Sequence, residues 1–294
     1  MTASDMTELR KAMFTRLYEA VERREILQLD LISEEAKTHG QLDIALFAQA
    51  RKEFLGSNFK KALELTHEIL RLNPRFIAAE YLESTIHIET GQYDEAIDSI
   101  NETMSKFWDN NPEVSFFNKA VVYTRIENIQ AARFSYWMAI LAKPTYKVAY
   151  MGLIANAASS SNWDEILMIS RQIREVFAGD PKFLNEAVTR LLQVTDSIAS
   201  KNPDIAKLFV EEARVMAESS LRQDPMDPGI QYNFACVMAR SGNRSLAIEH
   251  LKKAIETERD NSSSARYSEL ARTDPDFSTL RGDPEFQRIT NEIA

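Results

Sequence analysis

The sequence predicts an all-α chain assembled from repeated antiparallel helix pairs, and three observations carry that expectation. The 294 residues include only eight glycines and nine prolines, so few positions demand a left-handed backbone and most residues suit helices. Five stretches are alike: GSNFKKALEL (56–65), GQYDEAIDSI (91–100), IENIQAARFS (126–135), SSNWDEILMI (160–169) and SGNRSLAIEH (241–250). Each sets a polar break before a bulky residue and a small or aliphatic residue three positions on. Finally, Pro74, Pro144 and Pro225 recur where a second helix should stop, since proline lacks the N–H a continuing helix needs.

The elements follow in chain order. MTELRKAMFTRLYEAVERRE and ILQLDLISEEAKTH are helical in period but lack the recurring stretch, so residues 1–42 are expected to be N-terminal capping helices. Aligned on the small or aliphatic residue, the units fall at Ala62, Ala96, Ala132, Ile166, Ala213 and Ala247, in steps of 34, 36, 34, 47 and 34 residues. Residues 43–180 hold about four units. Residues 181–225 read as an elongated, atypical pair, the extra length falling in LNEAVTRLLQVTDSIAS (184–200) and in DIAKLFVEEARVMAESSL after Pro203. Residues 226–260 form a last unit, and 261–294 are expected to be C-terminal capping helices, opened by Asp274-Pro275 and Asp283-Pro284. Phe277, Leu280 and Phe286 are available there to cover the last apolar face.

Within each unit the recurring residues have a packing logic. Position 20 (Ala62, Ala96, Ala132, Ala213, Ala247) and position 8 (Ala50, Ser84, Ala120, Ala235) are small, which lets two helices approach closely. Position 17 is bulky (Phe59, Tyr93, Ile129, Trp163), with Arg244 as the exception. With this spacing the chain resembles the tetratricopeptide-repeat family, whose helix–turn–helix unit repeats every 34 residues. The resemblance covers roughly residues 43–260, and it implies a right-handed superhelical array of helix pairs, an α-solenoid.

Composition narrows the function classes. A net charge of −9 disfavours nucleic acid as a partner, because acidic surfaces repel phosphate backbones. Cys236 is the single cysteine, so no intramolecular disulfide or multi-cysteine zinc site can form. No apolar stretch approaches the ~18 residues of a membrane span, no secretory leader is evident, and the cytoplasm is the expected location. The acids Asp94, Glu95 and Asp98 of GQYDEAIDSI open a second helix, where negative charge complements the dipole. Acids recur in type at Asp164 and Glu165, while Lys60 and Lys61 stand at the matching place in the first unit, and a catalytic pair is not expected to repeat along an array. His39, His67, His87 and His250 have no metal-ligand spacing, although Glu83 and His87 share a helix face. No catalytic fingerprint is present, so no catalytic residue, metal ligand or cofactor is assigned.

In the family that the chain resembles, the first helices of successive units line a concave groove. Carried over by position, the resemblance places there Phe47, Arg51 and Phe54, then Tyr81 and Thr85, then Phe117, Val121 and Arg125 with Asn118 adjacent, then Met151. Tyr232, Cys236 and Arg240 hold the same positions in the last unit. An aromatic and aliphatic trough with scattered arginines suits an extended or helical segment of another protein. The family's set of Lys, Asn and Arg for a C-terminal carboxylate is not matched, because Phe47 and Arg51 occupy its Lys and Asn positions. The expected function is a non-enzymatic interaction scaffold or chaperone-like adaptor. Other readings are a self-assembling homo-oligomer joined through residues 184–222, an enzyme with a His67/His87 metal site and, least of all, a helical-repeat RNA reader.

Overall fold

The computed structural model describes residues 3–108, 110–261 and 266–291. Among these residues all regular structure is helical, and the chain divides into two compact units, residues 1–143 and 144–294. The first holds α1 (Ala3–Glu22), α2 (Ile26–Thr38), α3 (Leu42–Leu55), α4 (Phe59–Leu72), α5 (Ile77–Glu89), α6 (Tyr93–Lys106), α7 (Pro112–Arg125) and α8 (Ile129–Ala142). Each helix packs on the next, and α1, α3, α5 and α7 also touch in sequence. The odd helices therefore form one layer and the even helices lie behind them.

The second unit begins with α9 (Lys147–Ser159) and α10 (Trp163–Val176). Next come α11 (Pro181–Ile198) and α12 (Pro203–Gln223), of 18 and 21 residues against 13 and 14 in the pair before them. Asp180 starts α11 earlier than hydrophobic periodicity alone places it, since its carboxylate accepts from the Phe183 N–H at 3.0 Å. The chain continues through α13 (Pro228–Arg240), α14 (Arg244–Asn261), α15 (Arg266–Thr273), a 3₁₀ turn (Pro275–Leu280) and α16 (Pro284–Asn291). The first Asp-Pro step thus opens a 3₁₀ turn and not an α-helix. Only six residues lie in it, too few to settle into several α-turns before the second Asp-Pro step. Residues 262–265 and 292–294 of the expected C-terminal cap lie outside the described residues.

The small residues sit where the helices meet. Ala50, Ala62, Ala96, Ala120, Ala132, Ala213, Ala235 and Ala247 are all fully shielded from solvent. A larger side chain at any of these sites would overpack the contact at a cost of about 1–3 kcal/mol. Phe277, Leu280 and Phe286 are likewise buried, with the rings of Phe277 and Phe286 5.6 Å apart.

The polar breaks are one recurring turn. A residue with positive φ ends the first helix of a pair at Ser57 (59°), Gly91 (74°), Glu127 (58°), Ser161 (55°) and Gly242 (75°). The next N–H reaches back to a carbonyl inside the helix: Asn58 to Glu53, Gln92 to His87, Asn128 to Tyr123, Asn162 to Ala157 and Asn243 to Met238, at 2.8–2.9 Å. This left-handed C-cap satisfies a carbonyl the helix end would otherwise leave open. Its sequence signature is weak because only two of the five positions are glycine.

Candidate functional site

The layer of odd helices in the first unit encloses a concavity of about 260 Å³. Tyr18 of α1 enters from one side, Phe47 and Arg51 of α3 form the adjacent wall, and Ile77, Ala78, Tyr81, Leu82 and Thr85 of α5 run along its length. Asn111, Val114 and Asn118, at the start of α7, close the far side. The spacing explains the set, since Phe47/Arg51, Tyr81/Thr85 and Val114/Asn118 are each four residues apart and share a helix face.

Five residues proposed from the resemblance line this concavity: Phe47, Arg51, Tyr81, Thr85 and Asn118. Their exposures differ in kind. Phe47 is 2% exposed and forms the floor, its ring 5.3 Å from Phe76 and 6.3 Å from Phe14. Asn118 is buried too, its amide donating to Ser84 Oγ at 3.1 Å. Tyr81 donates to the carbonyls of Asn110 (2.8 Å) and Asn111 (3.0 Å), pinning the loop before α7, and burial raises its phenol pKa. Thr85 donates back to the Tyr81 carbonyl at 2.7 Å.

The other five lie elsewhere. Phe54 stands edge-on to Phe59 at 5.6 Å. Phe117 packs on Tyr136 of α8 at 6.0 Å, and Val121 packs against the Ile88, Ala96 and Ile100 cluster. Arg125 is exposed in the last turn of α7. Met151, half-buried on α9, belongs to the second unit. The division follows from register: α3 offers positions 5 and 9 to the pocket, whereas α7 offers positions 2 and 6, turning Phe117 and Val121 away. Tyr18 and Asn111 were missed because neither lies within a repeated first helix. Asn111 is the left-handed N-cap of α7, at φ 52°.

Arg51 supplies the electrostatics of the pocket. Its guanidinium carbon lies 5.5 Å from the Phe54 ring centroid, a cation–π contact. Burial pushes its pKa down, opposed by the charge of the Tyr18 phenolate form.

The second unit has its own concavity, of about 640 Å³, between α11, α13, α15 and the 3₁₀ turn. Here Tyr232, Cys236 and Arg240 come together, as their shared helix face predicts. The Tyr232 hydroxyl donates to Asp274 at 2.8 Å, and Arg240 pairs with Asp276 and, at 2.7 Å, with Asp196. Asn233 ties α13 to Asn185 and Thr189 of α11 at 3.0 and 2.9 Å. Ligand-type atoms of Cys236, Asp274 and Asp276 converge here. Both carboxylates are, however, already engaged by Arg240, Tyr232 and the Asp276 N–H, and burial pushes the Cys236 thiol pKa up, which favours a network that closes the fold. Elsewhere His67 Nε2 meets Glu83 at 2.9 Å, while His87 turns to Gln92 at 3.1 Å. Glu83 therefore serves the histidine of the neighbouring helix rather than its own i+4 neighbour.

No family model matches the chain, and no curated protein matches it. Solved structures do. The C-terminal part of a TPR repeat-containing protein from Cytophaga hutchinsonii is similar with a TM-score of 0.52 at 15% identity, over 83% of this chain and 92% of that one. MamA from Desulfovibrio magneticus RS-1 gives 0.43 at 13% identity, over 63% and 97% of the two chains. YrrB, described as a TPR protein with an unusual peptide-binding site, gives 0.35 at 17%, over 77% and 92%. Paired helices, buried alanines at the recurring positions and the likeness to the Cytophaga structure agree: the chain has the tetratricopeptide-repeat fold.

Proposed function

We propose that the protein is a non-enzymatic interaction module that holds a segment of another protein in the concavity of its first unit. The observation that carries this reading is the pocket framed by Tyr18, Arg51, Tyr81 and Thr85. It joins apolar walls to a small number of polar groups, the composition expected of a site that fixes one orientation of its ligand. Four helices contribute to it, so an occupant can run across the layer and gather contacts from successive repeats. No helix among the described residues is long and apolar enough to cross a membrane.

Filling the pocket tests the reading without disturbing the core. Thr85 is half-buried at its edge, so Thr85→Trp occupies the space while the helix remains intact. Wild-type and variant proteins are compared for capture of partners from the native lysate, with circular dichroism and thermal melting as the fold control. The reading expects a partner captured by wild type and lost with Thr85→Trp. An unchanged partner list at unchanged stability overturns it.

A further inference from the structure

The outward side of α8 departs from that of its sister helices. At position 22 of the repeat α4, α6 and α14 carry Glu64, Asp98 and Glu249, and at position 29 they carry Arg71, Ser105 and Glu256. In α8 these positions are Phe134 and Leu141, 65% and 74% exposed. Positions 25 and 26, polar in α4, α6, α10 and α14 alike, are Trp137 and Met138 in α8, both half-buried. Met168 of α10, at position 22, is the single apolar counterpart in those helices. The four α8 residues are spaced i, i+3, i+4 and i+7 and so form one stripe on one helix face. A contiguous apolar stripe marks an interaction site in a way that a scattered exposed residue does not. Packing within the repeat does not require it, since the sister helices pack with polar residues at the same positions.

We propose that this stripe joins two copies of the chain, with α8 of one lying antiparallel to α8 of the other about a two-fold axis between Trp137 and Met138. The spacing selects a second copy as the occupant. Residues 134, 137, 138 and 141 are placed symmetrically about their centre, so reversing the helix sets Phe134 of each copy opposite Leu141 of the other. A two-fold contact requires this reciprocity, whereas the helix of an unrelated partner does not. A large ring then meets a smaller side chain at each end, and Trp137 with Met138 fills the shielded centre, where the strongest contacts of an interface concentrate.

Charge and area agree with this occupant. Each copy carries a net charge of −9, so two copies approach at least cost through a face without acids. Arg133 is the one charged residue of α8, and the reversal sets it opposite Ala142 of the other copy, away from the other Arg133. Aromatic side chains offer roughly 150–250 Å² each, and pairing the two stripes with their flanking residues removes on the order of 1,000 Å² from water. That is the low end for a specific contact, so the dimer is expected to form at micromolar concentrations. The contact uses one stripe per copy and closes on itself, so association stops at two copies.

Sedimentation velocity of the full chain across the micromolar range tests the contact and its register. Phe134→Glu and Leu141→Lys each place an unpaired charge in the two-fold contact twice, and each is expected to weaken self-association by about a hundredfold or more. Mixed in equal amounts, the two variants are expected to associate again. The introduced carboxylate of one then faces the introduced ammonium of the other, and the second half of the contact keeps its native Phe134 and Leu141. Leu208→Ser, at a residue 53% exposed on α12 within the segment 184–222, is expected to associate as wild type does. Circular dichroism and thermal melting of each variant confirm the fold.

A wild type that stays monomeric throughout the range overturns the proposal, as does self-association that survives both single charge variants. Loss of association in Leu208→Ser moves the contact to α12 and overturns the assignment to α8. A mixture no more associated than its two components overturns the antiparallel pairing. None of these outcomes bears on the pocket at Tyr81 and Thr85, whose test is partner capture.

Discussion

The hydroxyl of Tyr81, on α5, lies 2.8 Å from the carbonyl oxygen of Asn110, 29 residues further along the chain. One side chain thereby lines the pocket and pins the loop that carries Asn111 into it. Tyr81→Phe keeps the ring and removes the donor. We expect a loss of about 1 kcal/mol, the net contribution of one hydrogen bond, with faster amide exchange at residues 110–114. Hydrogen exchange with urea denaturation checks both, and an unchanged loop shows that the phenol is not what holds it.

The left-handed C-caps give a prediction of opposite sign at different repeats. Glu127 and Ser57 adopt positive φ without being glycine, a strain glycine does not bear. Glu127→Gly and Ser57→Gly are expected to stabilise the protein by up to about 1 kcal/mol each, and Gly91→Ala to destabilise it by about the same amount. Denaturant titration of the three variants checks the pattern.

The C-terminal segment is expected to loosen in acid. Asp283 has its pKa lowered to about 2, first by its hydrogen bond from Arg244 and then by the Phe286 and Glu285 N–H groups. An unfolded Asp titrates near about 3.9. Because the folded pKa is the lower one, the stabilisation is fully present above about pH 4 and is lost as pH falls through about 2. Amide exchange in α16 should rise across that window in wild type. In Arg244→Gln it should already be raised at neutral pH and change less on acidification.

Arg244 also shows which parts were legible from sequence. The helix pairs and buried alanines could be read because each repeat poses the same packing problem and solves it with the same residue type. Arg244, at a position filled by Phe59, Tyr93, Ile129 or Trp163 in other units, looked like a lapse. It is instead a tether, with Arg244 Nη2 2.8 Å from Asp283 Oδ1, and its partner lies 39 residues away outside the repeat. The pocket was half legible for the same reason. Phe47, Arg51, Tyr81 and Thr85 follow from repeat position, whereas Tyr18 and Asn111 come from a capping helix and a loop that no period describes. Asn118 was included as a neighbour of position 5, and it lines the pocket because α7 presents its other face.

Cys236 reports on the network of the second unit. It is buried, its thiol pKa is raised first by burial and then by the nearby Asp276 and Asp274 charges, and it donates to Asp276. Alkylation of the native protein at neutral pH is expected to be at least about tenfold slower than in denaturant, since the thiolate is the reactive form. Arg240→Met removes a neighbouring charge that lowers the thiol pKa and leaves the Asp276 charge unopposed, so alkylation of the folded variant should be slower still. Mass spectrometry of iodoacetamide-treated protein measures both rates.

The most direct test of the groove is site-specific photocrosslinking in the native cell. A photoreactive phenylalanine analogue replaces Thr85 at the pocket edge or Asp98, an exposed acid on α6. The account predicts that Thr85 captures one recurring segment of a partner protein and that Asp98 does not. Capture from Asp98 alone, with Thr85 silent in a folded and equally expressed protein, would contradict it.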